Sequence, residues 1–422
     1  MKILWIVNMI LPEPARHLGI ATGPSGSWME DLSQRIAGAG DCELAVAAVG
    51  GDRFRDFTVG KIRYFLLPGN GKTMMFYHRG LVPFWERVQS LFTPDLVQLH
   101  GTEYTHGLVY LRMFPQQRAV VSIQGILSAI KDHELDGMPK FSVFRYRTMR
   151  ENLRFNGMAE QMLLHRKNAV YEKEILRRVR FANTVDFWDE TRVREINPAI
   201  RCFPMDYNLR EPFYRSEKWD RHKMERHTVF TNQGGIPLKG LHMLLRALTL
   251  VKSRIPDVKL YVPGMEEDHG RLVIANGYCK YLDRLIRDGG LERNICFLGR
   301  LDAAQMAGAM RVCNAAVFPS AMENVSTMMR ESMMLGIPTI AAFRGGMADF
   351  IQDRQSGFLY DFYEYPVLAR RLIEIFEDDG LASSLSAAAA EQAGQAHDPE
   401  KNAGKYLGMY REILREVPDQ DN

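Results

Sequence analysis

The chain has 422 residues, of which 46% are hydrophobic and 25% charged, and its formal net charge is +3. This length is too great for one ordinary domain and suits two. The composition is that of a globular protein, and the small net charge argues against nucleic acid as a partner. The five cysteines show no CxxC spacing. Neither a zinc site nor a disulfide framework is predicted, and a reducing compartment is indicated.

The first ten residues, MKILWIVNMI, form a short apolar run that Pro12, Glu13 and Pro14 follow. No small-residue cleavage site follows, so the run predicts a first buried strand rather than a signal sequence. No stretch approaches the ~20 apolar residues that cross a bilayer. A cytoplasmic location is therefore expected.

Apolar runs alternate with helical patterns in the N-terminal half, which predicts a parallel, doubly wound sheet. The predicted strands are Lys2–Asn8, Glu43–Val49, Lys61–Leu67, Asp95–Leu99 and Arg118–Ile123. The predicted helices are Ser27–Ala37, His78–Phe92 and Tyr104–Phe114.

Residues 140–200 break this alternation and are interpreted as two or three helices rich in Arg and Met. Between Lys140 and Arg180, eleven Lys/Arg against four Glu give a charge of +7. Interleaved aromatic residues are Phe141, Phe144, Tyr146 and Phe155. Such a surface can dock on anionic lipid headgroups. The simpler account is a solvated helix face with the aromatic side chains turned into the core.

A polar stretch between Phe203 and His227, broken by Pro204 and Pro212, predicts the domain boundary. A second α/β series follows it. The predicted strands are Thr228–Asn232, Lys259–Val262, Ile295–Leu298, Ala315–Phe318, Pro338–Ala342 and Gly357–Tyr360. The predicted helices are Leu238–Ser253, Arg271–Asp288, Ala303–Val312, Pro366–Asp378, Leu381–Ala396 and Pro399–Glu416.

The stretch Ala315–Ala342 predicts one strand–loop–helix–strand unit with two carboxylates, Glu323 and Glu331, in its loop and helix. Open parallel sheets bind ligands at the carboxyl ends of their strands, where this loop must lie. Backbone N–H groups at the start of the helix suit a phosphate, and Glu331 suits a ribose diol. Carboxylates that merely complement the helix dipole are the alternative.

The pattern PS-x-x-E, seven residues and a second Glu, followed by GIPTIA, resembles the family-4 retaining glycosyltransferases of the GT-B fold. Gly345, Gly346 and Asp349 resemble the family's G-G-x-x-E segment, and PLKG at 237–240 resembles its lysine-glycine motif. The resemblance implies two Rossmann-like, doubly wound α/β domains facing a central cleft. Residues 1–205 would bind the acceptor, packed by a helix at 398–416, and residues 206–397 would bind the donor.

The resemblance also implies residue roles. Catalytic positions are Glu323, which would hold sugar hydroxyls, Lys239, which would bind the donor diphosphate, and Gln124. Donor-binding positions are Glu331, Asn324, Val325, Ser326, Arg300, Gly26 and Ser27. Acceptor-side candidates are His100, Thr102, Glu103 and His106, because they follow the fourth predicted strand and would border the same cleft; a structural role is the alternative for a histidine at a strand end. Two positions depart from the family: Gly234 replaces an Arg, and Gln124 replaces a His, so the second cannot act as a base.

The expected activity is transfer of a sugar from a nucleoside-diphosphate sugar to a hydroxyl of a saccharide or lipid-linked saccharide, as in polysaccharide or glycolipid assembly. Retention is implied by the resemblance, and the absence of a DxD after a strand predicts that neither a metal nor another cofactor is needed. The protein would then be cytoplasmic or peripheral on an anionic membrane face. The alternatives are a catalytically silent GT-B subunit that binds a partner transferase, and a GT-B sugar-nucleotide epimerase.

Overall fold

The computed structural model describes residues 1–20, 27–231, 234–268 and 271–416. The chain divides into two compact units. Unit 1 contains Met1–Ala129, Arg166–Asn208 and the described residues from His397 onward, and unit 2 contains Ile130–His165 and Leu209–Ala396. Residues 130–165, which the sequence analysis assigned to the N-terminal domain, therefore cluster with unit 2.

The strands are β1 Lys2–Val7, β2 Glu43–Val49, β3 Arg55–Val59, β4 Ile62–Leu67, β5 Leu96–His100, β6 Ala119–Ser122, β7 Phe181–Thr184, β8 Arg201–Pro204, β9 Glu225–Thr231, β10 Lys259–Val262, β11 Glu267–Asp268, β12 Arg271–Leu272, β13 Ile295–Phe297, β14 Cys313–Phe318, β15 Thr339–Ala342 and β16 Phe358–Tyr360. The α-helices are α1 Pro12–Leu18, α2 Ser27–Gly38, α3 Gly71–Met75, α4 Val82–Phe92, α5 His106–Met113, α6 Leu127–Ile130, α7 Ser142–Arg145, α8 Met149–Arg154, α9 Met158–Arg178, α10 Phe187–Ile196, α11 Glu211–Arg215, α12 Leu241–Arg254, α13 Gly277–Asp288, α14 Ala303–Arg311, α15 Thr327–Leu335, α16 Met347–Phe350, α17 Tyr365–Glu377, α18 Asp379–Ala396 and α19 Pro399–Arg415.

Unit 1 is built on an eight-stranded sheet in the order β3-β4-β2-β1-β5-β6-β7-β8. Every neighbouring pair is parallel except β3 with β4. Apolar clusters cover both faces of the sheet, as a parallel sheet requires. The predicted helix near the C-terminus joins one of them, with Tyr406, Met409, Tyr410 and Ile413 all buried. The Trp5 indole N–H donates to the Tyr410 hydroxyl at 3.0 Å.

Unit 2 carries a six-stranded parallel sheet in the order β13-β10-β9-β14-β15-β16. The strand order reverses between β9 and β14, which are paired. The loops after these two strands therefore leave the sheet at its topological switch point, where open α/β sheets bind ligands.

The sequence predicted the fold class correctly, and most strand bounds differ by one or two residues. Residues 140–200 are not all helical, because β7 lies within them. The helix predicted from Arg271 starts only at Gly277, where the Asn276 side chain caps it by accepting from the Cys279 N–H. The aromatic residues between Lys140 and Arg180 were expected to turn into the core. This expectation is wrong for Phe141, Phe144 and Phe155, which are exposed.

Candidate functional site

The loop between β14 and α15 begins at a fully buried strand. All six residues of β14 are buried, and Pro319 interrupts the strand pattern immediately after it. Helix α15 ends at Gly336, whose φ of 78° supplies the left-handed turn that leads back into β15. This geometry delivers Glu323 to the carboxyl edge of the sheet, as the sequence predicted.

Lys239 and Glu323 form a direct ion pair. The Lys239 ammonium lies 2.6 Å from one Glu323 carboxylate oxygen, and the Ser320 hydroxyl donates to the other at 2.7 Å. The two side chains are 28% and 14% exposed. The sequence analysis assigned Lys239 to the donor diphosphate and Glu323 to the sugar hydroxyls, whereas the structure joins the two side chains in one charge-neutral pair.

Close backbone approaches fix this pair. Gly240 has a φ of 71°, and a Cβ there would overlap the Pro319 carbonyl oxygen. The Ala321 N–H donates to the Leu238 carbonyl at 2.8 Å, which ties the turn carrying Lys239 to the loop after β14. Lys239 ends a short 3-10 turn, Pro237–Lys239, rather than starting α12 as predicted. Glycine at position 240 is therefore needed to bring the cation beside Glu323.

The start of α15 offers polar groups beside the pair. Ser326 is the N-cap but makes no side-chain cap hydrogen bond. The Asn324 amide nitrogen is buried and has no hydrogen-bond partner in the described chain. With the adjacent Val325, these residues present a positive helix end, which favours an anionic oxygen. Arg300 is exposed and follows β13. Strand β13 lies two strands from β9, which corresponds to roughly 10 Å between these two strands across the sheet.

Glu331 is fully buried and carries a bidentate ion pair with Arg210. The guanidinium donates from Nε and Nη2 to the two carboxylate oxygens at 2.7 and 2.6 Å. Burial raises the pKa of Glu331, and the Arg210 charge and hydrogen bonds oppose that rise. The Glu331 side chain is only 1% exposed. A ribose can therefore reach this carboxylate only if Arg210 moves away.

Unit 1 has its own polar cluster, where β1, β5 and β6 end. The Asn8 amide donates to the Gln124 side-chain oxygen at 3.0 Å. Beside them, one Glu103 carboxylate oxygen is buried without a hydrogen-bond partner in the described chain. A Cβ at Gly101 would lie 2.5 Å from that carboxylate and a Cβ at Gly125 would lie 2.6 Å from it, so both glycines make room for it. Burial raises the pKa of Glu103 to about 7.

The other acceptor-side candidates are buried. His100 packs against Trp5, with ring centroids 4.4 Å apart, and burial lowers its pKa to about 3. The His106 Nε2 lies 3.0 Å from the Val7 carbonyl oxygen, and burial lowers its pKa to about 4. Thr102 donates to the Gly125 carbonyl at 3.2 Å. Both histidines are neutral at pH 7. Like Glu103, they keep buried polar atoms without a hydrogen-bond partner in the described chain, namely both ring nitrogens of His100 and the Nδ1 of His106.

Two predicted donor positions cannot be placed. Gly26 lies outside the described residues, and of Ser27 only its position at the start of α2 is described. Among the described residues, no three His, Cys, Asp or Glu side chains gather as a metal site would require. None of the described helices combines the length and hydropathy of a membrane span.

Three functional candidates were missed from the sequence. Ser320 is the Ser of PS-x-x-E, and its spacing from Glu323 was a usable signal. Arg210 and Asn8 gave none, because their partners lie far away in the chain, 121 residues for Arg210 and 116 for Asn8.

The two sheets, with the Glu323 loop at the switch point of the second, define the GT-B fold of glycosyltransferases. Residues 217–392 match the family "Glycosyl transferases group 1". The chain resembles sucrose-phosphate synthase from Thermosynechococcus elongatus, with a TM-score of 0.71, 16% identity, and coverage of 98% of this chain and 99% of that one. It also resembles HepE from Anabaena in complex with UDP and glucose, with a TM-score of 0.66, 17% identity, and coverage of 98% and 100%.

Relatives in sequence match less than half of this chain. An uncharacterized glycosyltransferase of Bacillus subtilis, YqgM, is 26% identical over 191 residues, covering 45% of this chain and 50% of the relative. A D-inositol 3-phosphate glycosyltransferase of Arthrobacter is 29% identical over 182 residues, covering 43% and 42%. The chain thus spans about half the length of these relatives.

Proposed function

We propose that the protein is a glycosyltransferase that moves a sugar from a nucleoside-diphosphate sugar to a hydroxyl of a saccharide or a lipid-linked saccharide. The observation that carries this proposal is the Lys239–Glu323 pair, held at the switch point beside the start of α15. A cation and a positive helix end suit a diphosphate, and a neighbouring carboxylate suits sugar hydroxyls. The family of residues 217–392 supports the same activity.

In the proposed reaction, the bond between the anomeric carbon and the diphosphate oxygen breaks, and its electron pair leaves with the diphosphate. The acceptor oxygen bonds to the anomeric carbon, and its proton passes to the departing diphosphate. Lys239 stabilises the charge that develops on the leaving group, without a metal ion. Retention of the anomeric configuration belongs to this proposal and rests on the family resemblance.

The bound donor changes the partners of both carboxylates. The diphosphate attracts Lys239 away from Glu323, which frees the Glu323 carboxylate for the sugar. The ribose takes the Glu331 carboxylate when Arg210 releases it. On unit 1, Glu103 is the proposed contact for the acceptor hydroxyl, because its carboxylate has an unpaired oxygen.

A membrane location is part of the proposal, with the protein peripheral on an anionic cytoplasmic face. The excess of Lys and Arg between Lys140 and Arg180 supports it. A silent subunit is the competing function, since Gly234 and Gln124 stand where the family has an Arg and a His.

A panel of nucleoside-diphosphate sugars, each with simple saccharide acceptors, tests the proposal. Release of nucleoside diphosphate with at least one donor is expected, and NMR of the product should show the donor's anomeric configuration. Binding of a donor without release under any acceptor condition would favour the silent subunit. Inversion would remove the retaining mechanism alone.

A further inference from the structure

An unusual set of apolar side chains is exposed in one short segment of unit 2. We call it the 141–163 surface. It consists of Phe141 (83% exposed), Phe144 (71%), Met149 (82%), Leu153 (81%), Phe155 (77%) and Leu163 (65%). Elsewhere in the described chain only Val170 and Phe187 are as exposed among large apolar side chains. Isolated exposed apolar residues are ordinary, whereas such a concentration marks an interaction site.

Helix α8 places apolar and cationic side chains in parallel rows. Met149 and Leu153 are four residues apart and lie on one side of the helix, and Arg150 and Arg154 form the adjacent row. Phe155 follows with a φ of 49°, a left-handed conformation that bulky residues rarely adopt. The backbone thus holds an exposed phenylalanine beside the cationic row.

The segment is firmly attached to unit 2. The buried Glu151 carboxylate accepts from the Gly277 N–H at 3.0 Å and from the Thr148 N–H at 2.8 Å. The rings of Tyr146 and Tyr281 pack with centroids 5.2 Å apart. The exposed side chains therefore project from an anchored element and not from a loosely packed one.

The charge around this surface is positive. Lys140, Arg145, Arg150 and Arg154 are exposed, and none of them has a carboxylate partner within the described residues. The segment's two acidic residues are occupied, since Glu151 is buried and Glu160 pairs with Arg147 at 2.5 Å. Four exposed cations thus flank six exposed apolar side chains.

We propose that the 141–163 surface is a membrane anchor, whose apolar side chains enter the headgroup region of an anionic bilayer while its cations bind lipid phosphates. This deepens the membrane location in the proposed function, but the binding itself needs no sugar transfer. Exposed aromatic and apolar side chains with Lys and Arg beside them are the chemistry of interfacial binding. A second copy of the chain fits poorly, because it would bring two cationic rows together.

Co-sedimentation of the full chain with vesicles tests the anchor. We expect wild type to bind phosphatidylcholine vesicles containing phosphatidylglycerol more tightly than pure phosphatidylcholine vesicles, with binding weakened between about 0.05 and about 0.5 M salt. Phe155→Ser should lower the partition coefficient at least about fivefold, and Phe144→Ser with Phe155→Ser should lower it further. Phe187→Ser is the matched control, being 75% exposed but on α10 of unit 1, and should bind as wild type does.

The cationic row is tested separately. Arg150→Gln with Arg154→Gln should lower binding to the anionic vesicles about tenfold or more and leave binding to neutral vesicles unchanged. Arg53→Gln with Lys61→Gln, two exposed cations of unit 1, should have no such effect. Wild-type thermal melting profiles are required of every variant, so that loss of binding reports the surface.

Equal binding of Phe155→Ser and wild type would overturn the anchor, as would negligible binding of wild type to both vesicle types. Self-association of wild type that Phe155→Ser abolishes, without vesicle binding, would overturn it in favour of an interface between copies. Release of nucleoside diphosphate is measured in parallel on soluble acceptors, so failure of the anchor and failure of the transferase are separate results.

Discussion

Substitution of Glu323 by Gln should tighten the binding of free nucleoside diphosphate. The Glu323 carboxylate neutralises Lys239 at 2.6 Å. A diphosphate that reaches Lys239 must therefore also approach a negative charge. Removal of that charge, with the shape of the side chain kept, leaves the Lys239 ammonium free for the ligand.

The magnitude follows from the geometry of the pair. A carboxylate about 6 Å from a phosphate charge repels it by roughly 3 kcal/mol at an effective dielectric constant of about 20. The two side chains are 28% and 14% exposed, so solvent and salt reduce this to about 1 kcal/mol. Glu323→Gln should then bind nucleoside diphosphate about fivefold more tightly. Lys239→Met should weaken binding by about 2 kcal/mol, because it removes a charged donor and leaves the carboxylate unpaired.

Isothermal titration with UDP, GDP and ADP measures these changes. Lys259→Met is the matched control. Lys259 is the first residue of β10 and therefore lies at the amino ends of the strands of the same sheet, away from the carboxyl ends where Glu323 lies. Turnover of Glu323→Gln should fall even as diphosphate binding tightens, since the sugar loses its carboxylate. If Glu323→Gln weakened diphosphate binding as much as Lys239→Met did, Glu323 would belong to the diphosphate site and the reasoning would be refuted.

Three other outcomes are expected. Glu331→Gln should lower the free energy of unfolding by about 3–5 kcal/mol, because Arg210 keeps a buried, unpaired charge; an unchanged urea midpoint would contradict this. The pKa of Glu103 is raised to about 7, so stability should fall by up to about 3 kcal/mol between pH 4.5 and 7, as the unfolded carboxyl ionises first. Glu103→Gln should remove this decline, and identical urea-unfolding profiles against pH in the two proteins would show the assignment to be wrong. Activity should survive excess EDTA, and loss that magnesium or manganese restores would reject metal-free transfer.

The sequence predicted most of the strands and motifs whose signal lies within one continuous stretch of residues. Apolar runs fixed β2 and β10 to the residue, and the PS-x-x-E spacing placed Glu323 at the carboxyl edge of its sheet. Short strands with mixed composition escaped, as β7 (FANT) shows, because four residues carry too little periodicity. Partners from distant parts of the chain escaped too. The sequence analysis assigned the Glu331 carboxylate to a ribose, whereas the structure shows Arg210 paired with it.

Titration of the wild-type protein with a panel of nucleoside-diphosphate sugars tests the central claim most directly. We predict saturable binding of at least one donor, weakened about 30-fold by Lys239→Met, which corresponds to about 2 kcal/mol, and unchanged by Lys259→Met. Binding of no donor, or binding that Lys239→Met leaves intact, would contradict a nucleotide-sugar site at the loop after β14.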